Sequence, residues 1–104
     1  MKTHEQIDKR SLAMARAIVA KIDQDRARKG LTKARATCGR WYRERPLAAA
    51  KEWLEILDRP WEQVREVLID ESEEGRRLRQ SDPFCGILTP RERWPIYHEY
   101  SETR

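Results

Sequence analysis

Arginine and lysine crowd one stretch of this chain, with eight between Arg26 and Arg45 against the single acid Glu44. Guanidinium and ammonium groups at that density hold phosphate or carboxylate well. Projected on a helix at about 100° per residue, Lys33, Arg40 and Arg43 face one way with Ala36 and Gly39 between them, while Ala34, Cys38 and Trp41 face the other with Tyr42 at their edge. Small residues between long cations leave room for a phosphate backbone or a groove floor to come close. Lys33, Arg35, Arg40, Arg43 and Arg45 are therefore the candidate nucleic-acid contacts. Gly39 costs about 1 kcal/mol relative to alanine inside a helix, which points to packing, a functional reason or a weak point in the helix. Trp41 and Tyr42, flanked by arginines, could stack on the bases of a single strand, but the helical spacing of Trp41 places it in the core.

The opposite charge follows. From Glu52 to Glu74 there are nine Asp or Glu against two Arg, and Glu62, Glu66 and Asp70 recur every four residues as one stripe. Like charges at that spacing cost only a few tenths of a kcal/mol per pair, so a plain solvated face is one reading. In the others the stripe lies against the basic helix of the same or a neighbouring subunit, or binds a basic partner protein. Glu62, Glu66 and Asp70 are the candidate partner-binding residues. Arg76, Arg77, Arg79, Arg91 and Arg93 can join the basic surface or neutralise the acidic one.

Other chemistry finds little support. Cys38, Cys85, His4 and His98 form none of the close pairs that preorganise a zinc site, and no metal or cofactor is expected. Two histidines near opposite ends give no local base for a Ser or Cys nucleophile. The glycines at 30, 39, 75 and 86 stand singly and make no phosphate loop. No catalytic residue is assigned, and an enzyme is not expected.

Helices must carry these groups. Thr3 with Gln6 makes a capping box, and Ile7, Met14, Ile18 and Ile22 recur at helical spacing as far as Gly30, predicting a first helix over 3–29. Thr32 caps a second over 33–45, which Pro46 stops. A third, 46–58, carries Leu47, Ala49, Ala50, Trp53, Leu54, Ile56 and Leu57 on half its wheel and should be the most buried. Pro60 at N1 opens a fourth, running to Glu71 with Trp61, Val64, Val67 and Leu68 on one face. Ser72 can cap a continuation through Arg79. Thr89-Pro90-Arg91-Glu92 starts a last short helix, kinked at Pro95. No segment alternates like a strand, so the fold class is all-α: a small single domain over 1–104, its ends frayed, as a bundle or orthogonal array of four to five helices.

The chain has 104 residues, 12.4 kDa, 38% apolar and 38% charged residues, and a net charge of +4. One modest core fits in that length. Neither a membrane span nor a secretory leader is legible, so the expected place is the cytoplasm, with Cys38 and Cys85 as reduced, buried thiols. The expected function is a non-enzymatic, nucleic-acid-associated or regulatory protein that works through its basic second helix, on DNA or RNA. The alternative is a protein–protein adaptor or small regulatory subunit that docks through both charged faces. Helix, short turn and basic helix loosely outline a helix-turn-helix reader, although an ordinary helical hairpin gives the same punctuation. The apolar C-terminal segment clamps the core or pairs two copies as a homodimer.

Overall fold

A computed structural model describes residues 4–100, with side chains from Glu5 onward, and within that span the chain is helical with no strand. Six helices follow one another: α1 (His4–Asp23), α2 (Lys29–Glu44), α3 (Ala48–Leu57), α4 (Trp61–Leu68), α5 (Glu73–Arg79) and α6 (Pro90–Glu99). The cap expected at Thr3, the side chain of His4 and the fraying expected at the two ends lie outside the described residues. None of the described helices is long and apolar enough to cross a membrane.

Five of the helices, with the loop after α5, contribute to one core. Ile18, Val19 and Ile22 of α1 meet Leu31, Ala34 and Cys38 of α2, Trp53, Ile56 and Leu57 of α3, Val64 and Leu68 of α4 and Leu78 of α5, and Phe84, Ile87 and Leu88 close it from the loop. Trp53 is its centre: the indole donates to Leu78 O at 2.9 Å and meets Phe84 edge-on, with centroids 6.1 Å apart. A buried indole N–H that lacked a partner would cost about 1–3 kcal/mol, so this bond fixes how α3 sits on α5.

The first turn differs from the expectation. α1 stops at Asp23 rather than Lys29, and α2 starts at Lys29, so Gly30 lies inside the first turn of α2 and Thr32 is not its cap. The chain reverses at Arg28, whose φ of 51° and ψ of 45° are left-handed. Such a conformation costs a non-glycine residue about 1 kcal/mol or more, and local bonds sustain it. Asp25 accepts from the amides of Ala27 at 3.1 Å and Lys29 at 2.9 Å, while Arg28 Nη1 donates to the carbonyls of Ile22 at 2.9 Å and Asp23 at 3.1 Å. Gly30 serves closeness instead of termination: a Cβ there would stand 2.7 Å from Ile22 Cγ1.

The helix count differs too, because the segment capped by Ser72 is a separate helix. α4 ends at Leu68, short of Glu71. Asp70 accepts from Ser72 N at 2.9 Å and Ser72 Oγ at 2.8 Å, and that hydroxyl accepts from Gly75 N at 3.3 Å. Two helices then meet so tightly that a Cβ on Gly75 would overlap Asp70 O. Arg79, only 7% exposed, closes the joint by donating Nη1 to Leu68 O at 3.0 Å and Asp70 O at 2.6 Å. Pro60 is the cap residue of α4 and not its first helical position.

At the far end the Thr89 capping box forms as expected, with Glu92 N donating to Thr89 Oγ1 at 3.1 Å and Thr89 N to Glu92 Oε1 at 2.7 Å. α6 runs on across Pro95, so the lost amide does not end it. No residue of α6 is buried. Two core assignments fail: Cys85 is exposed, because Pro83 and Phe84 fill the space beneath that loop, and Trp41 is only half-buried, because α2 outruns the core after Cys38.

Candidate nucleic-acid interface

Helix C-termini and loops leave carbonyls without backbone partners, and in this chain long cations bond to several of them. The five candidate contacts on and after α2 are sorted by such bonds. Lys33 Nζ donates to Gly86 O at 3.2 Å, and Arg35 donates Nε to Leu57 O at 2.8 Å and Nη2 to Arg59 O at 3.4 Å, capping α3. Arg40, Arg43 and Arg45 are exposed, and their guanidinium groups make no hydrogen bond or ion pair with the described residues. Arg40 and Arg43 share the outward face of α2 with Ala36 and Gly39, and Arg45 ends the helix, its amide bonded to Trp41 O at 2.8 Å. A Cβ on Gly39 would meet only Arg43 Nη1, at 3.5 Å. Packing therefore does not demand that glycine.

The acidic stripe divides as well. Glu62 and Glu66 are exposed on α4 and pair with none of the described residues, while Asp70 is absorbed into the turn with Ser72, which holds its carboxyl below the usual range. The ion pairs that form join other groups: Arg16 to Glu71 at 3.1 Å, Lys21 to Glu92 at 2.7 Å, Arg65 to Asp23 at 2.9 Å and Arg77 to Glu52 at 2.8 Å. Among the described residues none links the five basic candidates to Glu62, Glu66 or Asp70. Within the described residues of one chain, the basic and acidic faces form no ion pair with each other.

Beside Arg45 lies a groove of about 320 Å³ between the end of α2, the start of α3 and the loop after α5. Trp41, Leu47, Ala49 and Ala50 make its apolar wall, and Asp82 lines it from the loop. The composition of α3 suggested that Leu47 is covered, yet it is 53% exposed, because it is the cap residue of α3 and stands outside the helix that packs. The indole N–H of Trp41 has no partner among the described residues, whereas Trp61 donates to Asp23 Oδ1 at 2.7 Å and Trp53 to Leu78.

Asp82 is the one carboxyl among the described residues whose affinity for a proton is raised. Burial pushes it up to about 6, against the pull of the Phe84 amide, which donates to Oδ1 at 2.9 Å, and of Arg79. Nothing in the local sequence Ser81-Asp82-Pro83 marked it except the turn it makes. Among the described residues, no group of three or more His, Cys, Asp or Glu could hold a metal ion. No family model, no curated protein and no solved structure matches this chain.

Proposed function

We propose that this is a non-enzymatic, nucleic-acid-associated protein of the cytoplasm that grips phosphates with Arg40, Arg43 and Arg45. One observation carries the reading: these three guanidinium groups stay exposed and without a partner among the described residues, where Lys33 and Arg35 beside them are consumed by carbonyls. Forked donors with a glycine between them suit phosphate oxygens, and the interaction is mainly electrostatic. Three neutralised phosphates give a log–log salt slope of about −2.7 on duplex DNA.

A salt titration of binding to labelled duplex and single strands, repeated with Arg40→Glu/Arg43→Glu, tests it. Affinity that ignores salt, or survives the double substitution unchanged, sinks the reading. A second reading has its own observation, since Glu62 and Glu66 on α4 likewise pair with none of the described residues and suit a basic protein partner. A partner whose capture is lost on Glu62→Lys/Glu66→Lys, with nucleic acid unbound, favours that adaptor role.

A further inference from the structure

We infer that the groove beside Arg45 receives a base from a single strand, stacked against Trp41, while the adjacent arginines hold the flanking phosphates. This rests on the nucleic-acid reading above and adds the class of strand. Trp41 is half-buried and not part of the core, and it offers apolar surface to the groove while its N–H remains unpaired. Of the two tryptophans given partners above, Trp53 and Trp61 each sit in the core and bond within the protein. An indole kept out of the core beside unpaired arginines is what a stacking platform needs, and every base has a face to stack.

The groove fits such an occupant. Its volume lies at the small end of the roughly 300–1,000 Å³ of ligand pockets, enough for one ring system and too little for a folded segment. Leu47, Ala49 and Ala50 line the groove with the indole as apolar surface, and Asp82 lines it as well, a carboxyl of the kind that accepts from the N–H groups on a base edge. Bases within a duplex are already stacked and paired, so only an unpaired strand can offer one at low cost. Glu44 and Arg45 also line the groove, and Arg45 offers its exposed guanidinium to a phosphate that flanks the stacked base.

The test is fluorescence anisotropy of the full chain with a labelled 12-nucleotide single strand and the matching duplex, at several salt concentrations. Trp41→Ala should weaken the single strand about 5- to 100-fold, as loss of one stacked base does, and leave the duplex within about 2-fold. Leu47→Ser is the companion variant: serine at a helix cap favours α3, so weaker single-strand binding there cannot come from unfolding. Equal affinity for both strands, unmoved by either variant but abolished by Arg40→Glu/Arg43→Glu, overturns the groove and leaves the phosphate reading standing. No salt-dependent binding to either strand overturns both.

Discussion

Single residues here show how burial and exposure reverse ordinary expectations. Asp82 has a folded pKa of about 6 against an ordinary 3.8. A carboxyl raised on folding favours the native state below pH 4, where both states hold the proton, and that advantage fades as pH climbs through 6. The difference is at most about 3 kcal/mol. Asp82→Asn keeps an acceptor for the Phe84 amide and should raise stability at pH 7.5 by about 1–3 kcal/mol while changing little at pH 4. Urea melts at both pH values check this, and an equal gain at each refutes the desolvation account. Gly39 makes a second, opposed pair of outcomes. Gly39→Ala should stabilise α2 by about 0.5–1 kcal/mol, since only the flexible Arg43 head meets the new methyl group, and should weaken nucleic-acid binding if a backbone comes close there. Thermal melts and the anisotropy assay read the two effects separately.

At the scale of elements, the recurring device is a long cation bonded to the carbonyls at a helix end. Arg28 does this for α1, Arg35 for α3 and Arg79 for α4. Arg79→Met leaves the Leu68 and Asp70 carbonyls unserved and should cost about 2–4 kcal/mol, although loss of the buried, unpaired Nε–H offsets part of it. Arg40→Met, on the outer face, should cost less than about 0.5 kcal/mol. Denaturant midpoints compare them, and equal losses would remove the distinction between structural and free cations. This device was illegible in the sequence because each bond spans five to twenty-four positions, and nothing local distinguishes Arg35 from Arg40. Caps whose partners lie within four residues were legible, as Ser72 and the Thr89–Glu92 box show. The first turn was misread for the same reason: Gly30 is a stop signal locally, but Asp25 and Arg28 had already turned the chain. The exposed arginines were legible within a group of one lysine and four arginines, and which three bond to none of the described residues was decided by where distant carbonyls fell, Gly86 O for Lys33 and Leu57 O for Arg35.

The whole molecule is a collection of short helices around one core, with a Cα radius of gyration of 13.9 Å against about 13 Å for a compact chain of this length. Its acid response is a sum of opposed groups. Asp23, held low first by the Trp61 indole, and Glu52, held low by Arg77, contribute stability that is present above their unfolded pKa and lost as pH falls through the lower folded one. Asp82 moves the other way, so Asp82→Asn should make the acid unfolding limb begin from a higher plateau without shifting its midpoint much. Attachment across the molecule is uneven as well. α6 buries no residue fully, leaves Trp94 66% exposed and is tied to α1 by the half-exposed Lys21–Glu92 pair and by Arg10 lying 5.2 Å from the Tyr97 ring. Removing residues 90–104 should therefore leave a cooperative melt with a midpoint lowered by only a few degrees, and loss of the transition would show α6 to be part of the core. The loose fit of α6 implies a local clock: its amides should exchange with deuterium through openings that leave the Trp53 neighbourhood closed, so the last helix comes and goes many times for each unfolding of the whole.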